Sequence, residues 1–379
     1  MANALIYKVQ TGAFALKKNA EKQSARIIEK TGFKPIIKKE GVLYKVQCGA
    51  FSKLSNANAR KGALIKAGFS ARIIAVDTNA NVTLIDETPK EISEETKIRV
   101  WAVHFFDEDE SQYGDCTAII EYNSDGKIIH CILIDTAKST STAVKKLKLA
   151  GVTTIDAIVI SHAHGDHYGG LTNFLKYFSV KSLYLPDTTE LDKYQKSYGN
   201  ALRNQEKKAK KKNIYCEYLK AGKGFAVGDN IRCDCIWQMP ASAVSEHDNH
   251  HFVNNESIVL VFTINDTWKF HTAGDLQNPG NNALIKAIPN LKADIFKCQW
   301  HGDANATNER IAKAISPKVA FSNYHHKEGS GRGTTRKRLE ATGTYFMRNA
   351  EDGDIYMDIE GNTMTVTCSK NKSKKVFTK

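Results

Sequence analysis

The chain has no apolar stretch near the roughly 20 residues that a membrane span requires, so no transmembrane helix is expected. Residues Met1 to Lys8 show no basic segment followed by an apolar one, so no secretory leader is expected either. Its eight cysteines include no Cys-x-x-Cys pair. Cys233 and Cys235 are the closest two, and alternate residues of a strand point to opposite faces. A disulfide framework is therefore not expected; the cysteines read as buried thiols of a protein made in a reducing compartment. Two catalytic signatures are also missing. With no Gly-x-Ser-x-Gly elbow and no P-loop, neither serine-hydrolase nor P-loop phosphate chemistry is offered.

What is present is an ordinary globular composition over 379 residues, 41% hydrophobic and 25% charged, enough for two domains. The net charge of +13 is unevenly spread. Residues 1–76 carry 12 Lys and 3 Arg against 3 Glu, a balance of +12, which leaves +1 for the remainder. The basic, partner-seeking surface thus belongs to the N-terminal part.

That part contains a repeat. Tyr7-Lys8-Val9-Gln10-Thr11-Gly12-Ala13-Phe14 recurs as Tyr44-Lys45-Val46-Gln47-Cys48-Gly49-Ala50-Phe51. Each copy reads as an alternating strand, followed by a helix (19–30 and 56–66), a glycine stop at Gly32 or Gly68, and a β-branched strand at Ile36-Ile37 or Ile73-Ile74. Two such units predict a four-stranded sheet with two helices on one face, residues 1–76. A polar, acidic stretch without periodicity, residues 77–96, reads as a linker.

Beyond it, Ile155 to Ile160 is an almost unbroken β-branched run that predicts a buried parallel strand. It stops where Ser161-His162-Ala163-His164-Gly165-Asp166-His167 begins, placing four ligand-grade side chains at a strand's C-terminal end, where open α/β layers put their sites. Imidazoles with a carboxylate among them suit a catalytic metal site. Four groups packed this tightly cannot all reach one ion with good geometry, so the spacing predicts two neighbouring ions. Strands are expected at 99–106, 117–122, 127–135, 258–262 and 319–322. Helices are expected at 140–149 and 171–178, with a very polar one over 191–212 that carries Lys207-Lys208-Ala209-Lys210-Lys211-Lys212. Gly222-Lys223-Gly224-Phe225 reads as a turn.

The His-x-His-x-Asp-His pattern resembles that of the metallo-β-lactamase superfamily, and so do His271-Thr272-Ala273-Gly274-Asp275 and Lys297 to Asp303. With Tyr113-Gly114-Asp115-Cys116 the stretch 97–368 is most similar to the hydrolase domain of bacterial DNA-uptake competence proteins (ComEC-like). The resemblance implies an αββα sandwich over 97–379 and two divalent ions, zinc with manganese or iron as alternatives. His162 and His164 would hold one, Asp166, His167 and His301 the other, and Asp275 would bridge. Asp166 would also orient a metal-bridged hydroxide, Asp135 would brace the histidine loop, and Asp115 would position ligands. His326, in Asn323-Tyr324-His325-His326, would contact substrate or leaving group. His104 and His130 match no motif and read as structural. The chain departs from the pattern twice. Asn254-Asn255-Glu256-Ser257 stands where most of the superfamily has a metal histidine, with His250 or His251 as substitutes, and Trp300 precedes His301 where the subgroup has two histidines.

The N-terminal repeat resembles the SPOR (sporulation-related repeat) domain, which implies binding of peptidoglycan glycan strands. Gln10, Phe14, Gln47 and Phe51 would line the exposed sheet face, although both aromatics also suit a core position. A basic four-stranded sheet is also a platform on which RNA-binding modules stack bases. The two resemblances together imply a metal-dependent phosphodiesterase or nuclease brought to wall glycan, with DNA or a teichoic-acid-type polymer as substrate. The alternatives are a hydrolase of a wall amide or ester and a non-catalytic wall-binding protein. The expected location is the cell wall or outside the cell, reached by lytic or non-classical release, with the cytoplasm as the alternative.

Overall fold

A computed structural model of the chain describes residues 6–14, 17–40, 43–67, 69, 71–76, 82–84, 96–105, 114–138, 141–239, 249–323, 332–371 and 373–379. It divides into two compact units, Met1–Glu91 and Ile92–Lys379.

In the smaller unit both repeats form as expected. β1 (Ile6–Phe14), α1 (Lys17–Thr31) and β2 (Ile36–Glu40) make the first copy. β3 (Leu43–Phe51), α2 (Leu54–Lys66) and β4 (Arg72–Val76) make the second. Gly32 closes the first helix at φ 69°, a left-handed turn that glycine adopts without strain. The sheet order is β2-β3-β1-β4 with one strand more than predicted: β5 (Val82–Leu84) pairs antiparallel with β4 inside the stretch read as linker. Three residues with only alternating Val and Leu are too short a period to announce a strand, and the free edge of β4 recruits them. Val9, Val46, Cys48 and Ile73 meet Ala20, Ile27, Ala57 and Leu64 of the two helices in a separate small core.

The larger unit opens with a meander of β6 (Lys97–Ala102), β7 (Thr117–Tyr122) and β8 (Ile128–Ile134), then crosses through α3 (Ser141–Leu149) to β9 (Thr154–Val159). α4 (Gly165–Tyr168) and α5 (Leu171–Tyr177) lead to β10 (Ser179–Pro186); α6 (Thr189–Tyr194) and α7 (Lys196–Lys210) lead to the edge strand β11 (Tyr215–Leu219). The second sheet is built from β12 (Gly224–Val227), β13 (Ile231–Trp237), α8 (Asn249–Asn255), β14 (Val259–Ile264), β15 (Trp268–Thr272), α9 (Asn278–Ala287) and β16 (Ile295–Lys297). It continues with α10 (Glu309–Ile315), β17 (Val319–Ser322), α11 (Arg332–Glu340) and β18 (Tyr345–Arg348). After α12 (Asn349–Asp352) the chain returns to the first sheet with β19 (Ile355–Glu360), β20 (Thr363–Cys368) and β21 (Lys374–Thr378). The sheets run β11-β10-β9-β8-β7-β6-β19-β20-β21 and β12 to β18 in sequence order.

The two sheets face each other across Ile119, Ile132, Ala157, Phe262, Phe270 and Phe321. Their outer faces carry helices: α3 and α5 over Leu133 and Ile158, α9 and α10 over Phe296 and Ala320. This is the expected αββα sandwich. Two local readings change. The polar helix predicted over 191–212 is two, broken at Gln195, whose backbone lies outside the helical region (φ −141°, ψ 55°). The glycine turn at 222 is real, but Gly224 and Phe225 already belong to β12. All eight cysteines are free thiols, seven of them buried.

Candidate metal centre

Every site residue predicted in the larger unit and described by the structure sits at one end of the sandwich. β9 runs parallel to β8 and β10, so its C-terminal end delivers His162, His164, Asp166 and His167 beside Asp135, which follows β8. β7 is antiparallel to β8, which brings Asp115, just before β7, to the same end. β15 delivers Asp275 and β16 delivers Lys297 and His301 from the opposite sheet.

Asp135 organises the loop. Its Oδ1 accepts from the Ser161 backbone and its Oδ2 from Ser161 Oγ, both at 2.7 Å, and Oδ2 also accepts from His167 Nδ1 at 2.8 Å. The last bond fixes the His167 tautomer and turns Nε2 inward. His301 is treated alike: its Nδ1 donates to Asp115 Oδ1 (3.1 Å) and the Asn323 carbonyl (3.2 Å), and the His301 carbonyl accepts from Ser322 Oγ (2.5 Å). Asp275 is held by its backbone N–H on Ser257 Oγ (3.1 Å).

The inward atoms converge. His301 Nε2 is 3.2 Å from Asp166 Oδ2 and 3.3 Å from Asp275 Oδ2; His167 Nε2 is 3.2 Å from Asp275 Oδ2 and 3.8 Å from Asp166 Oδ2. His162 Nε2 and His164 Nδ1 face one another at 3.0 Å, with Asp275 Oδ2 4.0 Å from the former. Ligands bonded at 2.0–2.1 Å in a tetrahedron lie about 3.3 Å apart. The separations match that spacing, and among the described residues the buried His167 Nε2 has no hydrogen-bond partner. The residues therefore fit divalent ions, with Asp275 between the two groups. Asp115 is also within 4.8 Å of His167, Asp275 and His301. It nevertheless lies against the Nδ1 side of both rings, behind them, where a positioning carboxylate belongs.

The first group is the poorer one. Where the missing histidine was noted, the chain places Asn254, fully buried, with no hydrogen-bond partner for its amide atoms among the described residues. The side chains of His250 and His251, and all of His326, lie outside the described residues. Of the histidines read as structural, His130 pairs with Asp156 at 3.4 Å. The His104 carbonyl accepts from Lys146, and its ring is pushed down to about 4 by burial and by Lys146.

Charge follows from this packing. Burial would depress the His167 imidazole, but Asp275, Asp135 and Asp166 outweigh it and hold it well above its ordinary value. Asp275 and Asp115 do the same for His301. His162, buried and next to His167, is driven well below. Burial would raise Asp166, but His167 and His301 overcome it and keep the carboxyl below the usual carboxylate range. A metal must displace the protons on His167 and His301, so affinity rises with pH. Loading the metal-free protein near neutrality is expected to release about two protons per filled centre. Calorimetry in buffers of different ionisation enthalpy measures this, and no release would show both rings already neutral.

The loops are held in backbone that side chains rarely adopt. Asp135 (φ 58°), Trp300 (φ 43°) and His301 (φ 52°) are left-handed, a cost of the kind met at functional sites. Gly114 is required outright: it has φ 106°, and a Cβ there would fall within the Asp166 carbonyl. Gly114→Ala is expected to cost roughly 3 kcal/mol or more and to strip the centre of metal, read by thermal melting and elemental analysis. Wild-type metal content would show the loop can move aside.

Lys297 was not singled out from the sequence. Only 3% exposed, it donates to the Gly274 carbonyl (3.1 Å), pairs closely with Asp115 Oδ2, and lies 3.8 Å from Asp275 Oδ1. Burial would lower its ammonium, but Asp115 and Asp275 raise it above its ordinary value.

In the smaller unit, Gln10 and Gln47 oppose one another across β1 and β3, on the face away from the helices. They are 3% and 9% exposed, and their amides donate to the Gly12 and Gly49 carbonyls (3.3 and 3.4 Å). Exposure on the sheet face, the expectation for both, is not what the structure shows, because each side chain folds back to brace its own strand end. Phe51 packs against the helix-side core under the Arg60 guanidinium (5.6 Å), the core position the sequence also allowed. The side chain of Phe14 lies outside the described residues.

Residues 129–233 match the sequence model of the metallo-beta-lactamase superfamily and residues 40–86 that of the SPOR domain. The chain carries a metallo-β-lactamase superfamily domain and a SPOR domain. Over 187 residues it is 26% identical to ComE operon protein 3 of Bacillus subtilis (strain 168), a match covering 48% of this chain and 22% of that protein. The chain thus spans less than a quarter of that relative's length. Among solved structures, the peptidoglycan-binding domain of the B. subtilis cell wall lytic enzyme CwlC is 40% identical, covering 20% of this chain and 94% of its own, with a TM-score of 0.19. A CmlA β-hydroxylase variant is 11% identical over 86% of this chain and 66% of its own, with a TM-score of 0.46. Among the described residues no helix is long and apolar enough to cross a membrane.

Proposed function

We propose that the larger domain is a metal-dependent phosphodiesterase acting on an anionic polymer at the cell wall, where the SPOR domain binds peptidoglycan glycan. The observation that carries the reading is the convergence of Nε2 of His167 and His301 with Oδ2 of Asp166 and Asp275, next to the His162–His164 pair. Divalent ions held there would acidify a water and neutralise charge on a phosphoryl oxygen. Asp135 and Asp115 keep both imidazoles aimed, and Lys297 offsets part of the charge of four carboxylates.

The surroundings favour an anionic polymer over a small neutral ester. Tyr198 of α7 meets His164 edge-on, ring centres 5.4 Å apart. The basic run at the far end of the same helix begins at Lys207, nine residues on, about 13–14 Å away at 1.5 Å per residue. A polymer backbone crossing the centre could follow that helix. DNA and a teichoic-acid-type polyol phosphate are the two candidate substrates.

The metal-loaded protein should hydrolyse a bis-aryl phosphodiester, and one of single-stranded DNA and polyglycerol phosphate in preference to the other. Hydrolysis of a wall amide or an aryl ester without phosphodiester turnover would replace this reading. No turnover with metal bound would leave a wall-binding protein with a metal-holding fold.

A further inference from the structure

Three carboxylates flank the His167–His301 pair, two on one side and one on the other. Asp166 and the Oδ2 of Asp275 meet the Nε2 atoms; Asp115 meets the Nδ1 atoms, with Oδ1 3.1 Å from His301 and Oδ2 3.7 Å from His167. By distance alone Asp115 could complete a four-ligand group with His167, Asp275 and His301. The cluster thus offers a cation two positions. One of them is already taken: the Lys297 ammonium lies on Asp115 Oδ2, on the Gly274 carbonyl and toward Asp275 Oδ1. A fully buried cation of this kind persists only when paired, and breaking such a pair leaves the partner carboxylate uncompensated.

We infer that Lys297 is a resident cation that selects the metal position: by filling the Asp115 side it confines a bound ion to the Nε2 side and leaves Asp275 only Oδ2 to give. This rests on the metal-centre reading above but not on the choice of substrate, because its readouts are spectroscopic. Lys297 is a positioning residue; it touches carboxylates, not substrate. A lysine suits the task because its compact ammonium is a point charge, whereas the planar guanidinium of arginine needs a wider slot.

The test is cobalt substitution of the whole protein. In Lys297→Met the freed Asp115 should enter the coordination shell, lowering the visible absorption as coordination rises. Turnover should fall by about 10–100-fold, the usual cost of losing an outer partner of a ligand. Adding Asp115→Asn to Lys297→Met removes the competing carboxylate with the cation and should return the spectrum toward wild type. An unchanged spectrum in Lys297→Met, or no recovery in the double variant, would overturn the inference. Should Lys297→Met fail to fold, Asp115→Asn alone decides: wild-type cobalt content and spectrum support the assignment, and loss of an ion makes Asp115 a ligand and sinks it.

Discussion

Alanine at position 166 is expected to lower phosphodiester turnover about a thousandfold or more, while the domain keeps its fold. Asp166 is the most exposed of the four carboxylates at the centre, 22% against 2–3% for Asp115, Asp135 and Asp275, so it faces any substrate that enters. Its Oδ2 lies 3.2 Å from His301 Nε2. The fold should survive because the contact tying this loop to Asp115 runs through the Asp166 backbone carbonyl (3.2 Å), which the substitution leaves in place. Circular dichroism should overlay with wild type while elemental analysis shows reduced metal. Turnover within tenfold of wild type would place the chemistry on other residues.

The histidine loop could be read because its signal is local: an apolar strand that stops at a run of ligand-type side chains. The N-terminal repeat was legible for a similar reason, two copies of one period. What escaped depends on distant partners. Lys297 reads as an ordinary polar end to a short strand; its meaning comes from Asp115, 182 positions earlier in the chain. Gln10 and Gln47 were placed on the open sheet face by resemblance to the SPOR domain, which does not say that a glutamine will fold back on the carbonyl two residues on. The break at Gln195 has neither Gly nor Pro to announce it. The left-handed Asp135, Trp300 and His301 carry no mark in the sequence, since only tertiary contacts hold such backbone.

Deleting residues 1–91 is expected to abolish pelleting with wall sacculi and to leave turnover of a soluble bis-aryl phosphodiester within about twofold. Two observations support the separation: the chain divides into compact units at Glu91, and the smaller one closes its own core from Val9, Ile27, Val46, Leu64 and Ile73. Conversely, residues 1–91 should fold alone and pellet, and sacculi stripped of stem peptides should retain more of it than untreated ones. Charge is the competing explanation, because residues 1–76 carry 12 Lys and 3 Arg against 3 Glu. Salt separates the two. At 1 M the Debye length falls to about 3 Å, and attraction between exposed charges is largely screened. A glycan held by hydrogen bonds and apolar contact on the sheet, beside Ile36 (57% exposed) and Lys38, should stay bound at that salt. Complete release at 1 M would reduce the domain to a basic patch. Undiminished pelleting of 92–379 by itself would move wall binding to the larger unit.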